Sequence, residues 1–128
     1  MLTGKKILLG ITGSIAAYKS VALLRTLRAE GAEVTVVMTP SAQKFVAPLT
    51  FQALSGRTVY TGLFVPGEEM AHITLGEGAD LILVAPATAH FLAKLYSGLA
   101  DDLLSALILA SSSPVLVVPA MDGQMWTK

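Results

Sequence analysis

The chain has 128 residues, 53% of them apolar and 14% charged, with nine basic side chains set against nine acidic ones and no cysteine. That length suits one domain with a single core, and a net charge of zero gives no electrostatic footprint for nucleic acid or an anionic membrane surface. Without thiols there are neither disulfides nor thiolate metal sites, and two isolated histidines do not make a metal cluster.

Apolar strand-like runs and helical periodicities alternate along the chain. "KILLGI" is a short continuous apolar run of strand type, followed by the turn "TGS" and then by "IAAYKSVALLRTLRAEG", where Ile15, Tyr18, Ala22 and Leu23 recur at helical spacing. Ser14 is placed to cap this helix and Gly31 to stop it. "EVTVVMT" is β-branched and predicts a second strand. "SAQKFVAPLTFQALSG" predicts a helix broken at Pro48 and stopped at Gly56. The stretch from Arg57 to Ala79 is the least regular, with room for a weak strand, a loop and a short helix. "DLILVAPAT" and "PVLVVPAM" are two further strands, separated by one or two helices over "AHFLAKLYSGLADDLLSALILAS". Strands apolar on both faces and divided by helices predict a parallel sheet covered on both sides, a doubly wound α/β domain spanning residues 1–128.

The apolar runs end well before the roughly 18 residues needed to span a bilayer, and "MLTGKK" has no signal-peptide core, so a cytoplasmic protein is expected. So high an apolar share in a small chain implies that neighbouring subunits cover part of the surface, and a homo-oligomer is expected.

Ligands of doubly wound sheets lie beyond the carboxyl ends of the strands. Here those ends read "GITGS", "VMTPS", "VAPATAH" and "VPAMDGQ", all rich in small and hydroxyl residues. Gly10 and Gly13 flank Ile11 and Thr12. A glycine there lets the backbone approach a ligand, and the amides of Ser14 and Ile15 can bind an anion such as phosphate; a tight strand-to-helix turn would need the same glycines. The pattern is not G-x-G-x-x-G, and the second strand ends in Met38-Thr39 with no acid placed for a ribose diol, which favours a mononucleotide phosphate over a dinucleotide. Thr88, Ala89 and His90 stand at another strand-to-helix junction, where a flat ring could lie on the main chain or Thr88 could simply cap the helix. His72 could transfer protons near neutral pH or merely pack. Asp101 and Asp102, adjacent in sequence, read as capping and solubilising residues. Lys19 and Lys94 are candidate anion contacts, although a helix lysine is ordinarily solvated.

Four ordered segments, "GITGSIAAYK", "MAHITLGEGADLILVAPATA", "FLAKLYSGLADDLLS" and "PAMDGQMW", resemble the flavin-containing cysteine decarboxylase family from Lys5 to Trp126. The resemblance implies a flavodoxin-like, Rossmann-like three-layer sandwich that binds FMN and assembles into trimers or groups of trimers with the flavin at the subunit interface. It implies that Gly13, Ser14, Ile15 and Thr39, together with Ser41, meet the phosphate and ribityl chain, that Thr88, Ala89, His90, Phe91 and Ala120 border the isoalloxazine ring, and that His72 is the active-site histidine. Asp122 and Met125 fall in the substrate segment. The implied reaction oxidises a C-terminal cysteine-like group and releases carbon dioxide, here from 4′-phosphopantothenoylcysteine on the way to 4′-phosphopantetheine in coenzyme A synthesis. Asp122 stands where the family often has an asparagine that holds the substrate carboxylate, and His90 where it often has another. The family's proton donor is a cysteine on a mobile flap. These 128 residues contain none, so the chain is expected to stop short of that flap and of any ligase domain, and to reduce the enethiol product poorly. A flavin prenyltransferase of related fold and a non-catalytic flavin-binding subunit are the alternatives.

Overall fold

A computed structural model describes all 128 residues. Its sheet has four parallel strands: β1 (Lys6–Ile11), β2 (Glu33–Met38), β3 (Leu81–Ala87) and β4 (Val115–Pro119), in the spatial order β2-β1-β3-β4. The helices are α1 (Lys19–Ala29), α2 (Pro48–Ser55), α3 (Ala71–Gly78), α4 (Ala89–Ser97), α5 (Leu103–Ala110) and α6 (Gly123–Thr127). No helix is long and apolar enough to cross a membrane.

The strand pleat sends alternate residues to opposite faces, and the two faces build separate cores. Ile7, Leu9 and Ile11 of β1 join Val34, Val36 and Met38 of β2 beneath Leu24 of α1 and Phe51 of α2. Leu8, Val37, Ile82 and Val84 face the other way, against Ala71 of α3, Phe91 of α4 and Leu103, Leu104 and Leu107 of α5. Helix layers on both faces of a parallel sheet make the three-layer, flavodoxin-like sandwich expected from the sequence.

Local chemistry explains the helix ends, with two corrections. Ser14 caps as expected, its hydroxyl accepting from the Ala16 amide, but the segment it opens is a 3₁₀ turn over Ile15–Tyr18, and α1 proper starts only at Lys19. Pro48 does not break a helix. It occupies the first turn of α2, where its missing N–H costs nothing, and what precedes it is a separate 3₁₀ turn over Ser41–Lys44. Gly31 (φ 95°) and Gly56 (φ 70°) end α1 and α2 in the left-handed region, as their placement predicts. The irregular stretch holds Tyr60 in an isolated bridge to Val37, then a loop, then α3.

The expectation that every strand is covered on both faces fails at β4. This edge strand leaves Val115, Leu116 and Val118 exposed. Beyond it, Met125 and Trp126 of α6 are 52% and 66% exposed, so they fill no core gap in this chain.

Gly10 of β1 shows how tightly the central strand is packed. A Cβ there would lie 2.6 Å from a methyl of the fully buried Leu104. Urea denaturation should therefore find Leu104→Ala destabilising by about 3 kcal/mol through the cavity it leaves, and Gly10→Ala by about 1–3 kcal/mol through overpacking. The double variant should lose less than the sum, because the added methyl enters the space Leu104 vacates.

Candidate functional site

The strand order reverses between β1 and β3: the chain runs outward from β1 to β2, then returns to place β3 on the opposite side. Connections diverge at such a switch point and leave a crevice above the carboxyl ends of the strands. A cleft of about 270 Å³ opens there. Its floor is Thr12, Gly13 and Thr39, one wall is Pro40 and Ser41, and the other is Thr88, His90 and Phe91, with Lys94, Asp101 and Asp102 closing one end.

One hydroxyl ties the floor to the wall. Thr12 is buried; its Oγ1 donates to the Pro86 carbonyl at 2.6 Å and accepts from the Thr88 amide at 3.1 Å. Thr88 in turn caps α4, its Oγ1 accepting from the Phe91 amide at 3.1 Å. The capping reading of Thr88 is therefore realised, and the capped helix start still forms a cleft wall.

Gly13 is required by space. A Cβ on it would stand 2.4 Å from Ser41 Cβ and 3.0 Å from the Ser41 carbonyl carbon, so only glycine lets the two turns close together into one floor. The amides of Gly13, Ser41 and His90 find no acceptor within the chain. Thr39 Oγ1 accepts from the Ala42 amide, which leaves its hydroxyl proton free as well. A cleft lined by donors without partners, at the ends of parallel strands, has the chemistry to receive an anion such as a phosphate.

Of the residues singled out in the sequence, Gly13, Thr39, Ser41, Thr88, His90 and Phe91 thus line one cleft. Ser14 adjoins it as the cap of the 3₁₀ turn, and Ile15 is 78% exposed on that turn. Ala120 lies in a separate hollow with Ser20, Pro86 and Val118. His72, half-buried at the start of α3, lines a third one with Leu63, Phe64, Val65, Pro66 and Glu69. Asp122 caps α6, its Oδ1 accepting from the Met125 amide at 2.9 Å. Within one chain these outlying residues do not reach the cleft.

Lys94 is a correction. The expected solvated lysine has a side chain only 7% exposed, with its Nζ 2.6 Å from Asp101 Oδ1 and also bound by Asp102 Oδ2. Burial works against its charge, but the hydrogen bonds and field of the two carboxylates outweigh that and hold its pKa above the ordinary lysine value. The Lys94 hydrogen bond in turn depresses the Asp101 carboxyl. Asp102 also caps α5, accepting from the Ser105 amide at 2.8 Å in a reciprocal capping box. Thr12 is the site residue that sequence reasoning missed, and Lys94, named there as a candidate anion contact, is instead held by two carboxylates that the sequence did not reveal. Thr12 adjoins Gly13 in "GITGS", but a buried hydroxyl and a ligand-facing one look the same in sequence. Helical periodicity alone gave Lys94 no partner.

The fold and this cleft define a class: a doubly wound, flavodoxin-like domain with an anion-receiving crevice at its switch point. The chain belongs to the Flavoprotein family, whose pattern matches residues 1–128. It is 55% identical over 127 residues to the coenzyme A biosynthesis bifunctional protein CoaBC of Vibrio vulnificus, covering 98% of this chain and 32% of that protein. To the Escherichia coli protein of the same name it is 50% identical, covering 98% of this chain and 31% of that one. The chain thus spans about a third of the length of these relatives. Among solved structures it resembles the FMN-dependent cysteine decarboxylase SpaF (TM-score 0.93, 36% identity, 100% of this chain and 75% of that one). It also resembles a cysteine-to-serine variant of PPC decarboxylase complexed with pantothenoylaminoethenethiol (TM-score 0.80, 32% identity, 97% of this chain and 71% of that one).

Two outcomes follow from this geometry. Thr12→Val should cost about 1–3 kcal/mol, because it strips the Thr88 amide of its acceptor, and hydrogen exchange should accelerate at that amide. The Lys94–Asp101 interaction sets a pH window. The depressed Asp101 contributes stability above its unfolded value of 3.8 and loses it as pH falls through its lower folded value. The raised Lys94 contributes fully below 10.5 and loses its contribution only as pH rises past its folded value. The stability difference between the parent chain and Asp101→Asn should therefore be present at neutral pH, begin to fall near 3.8 and vanish only once the pH has passed below the lowered folded value.

Proposed function

We propose that residues 1–128 form an FMN-binding domain that decarboxylates 4′-phosphopantothenoylcysteine in coenzyme A synthesis. The observation that carries this reading is the Gly13–Ser41 floor, where a Cβ would fill the space and unpartnered donors surround it. It is supported by the likeness to proteins described as CoaBC, as an FMN-dependent cysteine decarboxylase and as a PPC decarboxylase.

The donors suit a phosphate and ribityl chain: amides of Gly13, Ile15, Ser41 and His90, with the Thr39 hydroxyl, whereas the Ser14 amide is already given to the Thr12 carbonyl at 3.0 Å and Ser14 would contribute only through the turn it caps. The cleft, at about 270 Å³, is below the usual size of a pocket that encloses a whole ligand. The ring of such a nucleotide would therefore extend past Thr88, Ala89, His90 and Phe91 toward Ala120 and the uncovered side of the sheet. Bound flavin supplies an electron acceptor for the cysteine-like carbon, which turns the adjacent carboxylate into a leaving group. His72 would handle the proton, and Asp122 and Met125 would meet the substrate.

His72, Ala120 and Met125 lie outside the cleft of their own chain, and β4 and α6 expose Val115, Leu116, Met125 and Trp126. A second copy laid on that face would bring the dispersed residues to a shared site, so a cytoplasmic homo-oligomer, in the form of a trimer, is part of the proposal.

Purified protein should carry visible flavin absorbance or acquire it from added FMN, and Gly13→Asp should abolish it. Thr39→Val should weaken FMN by about 10–100-fold, the worth of one charged hydrogen bond. A colourless protein that ignores FMN would end the proposal. With substrate, carbon dioxide release should fall in His72→Asn. It should rise in Asp122→Asn, because asparagine keeps the cap and adds donors for a carboxylate that an ionised aspartate repels. If the parent chain and His72→Asn bind FMN and are equally inactive, the non-catalytic alternative replaces this one. Sedimentation at micromolar concentration should show an oligomer.

A further inference from the structure

The Lys94 cluster has no part in that chemistry, yet it forms one end of the same cleft. Its charges do not cancel: one ammonium faces two carboxylates, with the exposed His90 as the other titratable group at that end. The Asp102 side chain is only 10% exposed and is fixed by the Ser105 amide, whereas the Asp101 side chain is 69% exposed. Lys94 itself is tethered, with its Nζ 5.8 Å from the centre of the Phe91 ring on the cleft wall. A dianionic ligand in this cleft shares it with the acidic pair, and the field it feels depends on how far one buried ammonium offsets them.

We propose that Lys94 is the charge-balancing residue of the cleft: it offsets one of the two carboxylate charges of Asp101 and Asp102 at the end away from the Gly13–Ser41 floor, so that the donors of that floor can select phosphorylated flavin over its uncharged parent. This rests on the flavin reading above and adds a residue that sets ligand charge preference. Lys94 acts through the carboxylates it restrains, which makes it a positioning residue, and Asp101 is the exposed partner whose charge remains as residual repulsion.

Flavin-fluorescence titration of the parent chain, Lys94→Met and Asp101→Asn with FMN and with riboflavin, at low and high salt, tests the assignment. The parent should prefer FMN. In Lys94→Met, FMN affinity should fall at least about tenfold and riboflavin affinity by less than about threefold, since two unbalanced carboxylates repel only the charged ligand. Asp101→Asn changes an exposed side chain and keeps the buried Lys94–Asp102 pair, so it reports even if Lys94→Met does not fold. It should bind FMN about threefold more tightly at low salt, with the gain shrinking at high salt and riboflavin unaffected. Equal losses of both flavins in Lys94→Met would show a helix-packing lysine and overturn the proposal, as would unchanged or weaker FMN binding in Asp101→Asn. A parent chain that binds neither flavin would remove the flavin reading itself, an outcome distinct from a parent that binds FMN and is indifferent to both substitutions.

Discussion

The structure depends on the junction of β1 and β3, the two central strands whose ends diverge into different layers. Divergence opens a crevice, but an open crevice floored by backbone would be costly unless its polar groups were tied down. Thr12 does this with one buried hydroxyl that binds the Pro86 carbonyl and the Thr88 amide together. The start of α4, and with it the wall formed by Thr88, His90 and Phe91, is thereby registered against the end of β1. On the other flank Gly13 lets the β1 turn press against Ser41, registering the end of β2 to the same floor. Three strand ends are thus held in one geometry, and amides at their tips are left without partners.

The two cores set the limits of that geometry. β1 is buried on both faces, which is why its sequence is almost unbroken apolar and why even a methyl at Gly10 would collide with Leu104. β4 has the same composition but sits at the sheet edge with its side chains uncovered. Apolar edges invite association, and here the exposed edge continues into Met125 and Trp126 of α6. Part of the apolar excess of the chain thus lies on the flank next to Ala120, one end of the segment that the family resemblance assigns to the flavin and substrate, while Leu49, Phe64 and Tyr96 are exposed elsewhere. Core packing and the proposed assembly thus draw on the same kind of residue, distinguished only by position in the sheet.

Electrostatics divide the cleft in two. At the Gly13–Ser41 end the groups are neutral donors that favour an anion without presenting a counter-charge. At the Lys94 end a buried cation is held by two acids, one of them also serving as a helix cap. A buried ion pair contributes little net stability after its desolvation cost. The value of this one lies in fixing which charges face the cavity.

Much of this was written in the chain itself. The alternation of apolar runs with helical periods determined a doubly wound parallel sheet, because strands buried on both faces and helices buried on one leave different and local signatures. Gly31, Gly56, Ser14 and Thr88 marked helix ends through backbone chemistry that acts over a few residues. Gly13, Thr39 and Thr88 were legible as site candidates because the fold class dictates where strands must end. Other features were decided only in three dimensions. Nothing near Pro48 reveals that it opens a helix rather than breaking one, since that depends on where the preceding turn packs. β1 and β4 look alike until strand order puts one at the centre and the other at the rim. Lys94 finds Asp101 and Asp102 only because α4 and α5 fold back on each other, and Thr12 bonds Thr88, 76 residues away, only because β1 and β3 are neighbours. Local sequence sets what each segment can form, while partners distant in the chain are chosen by topology, which no window of neighbouring residues contains.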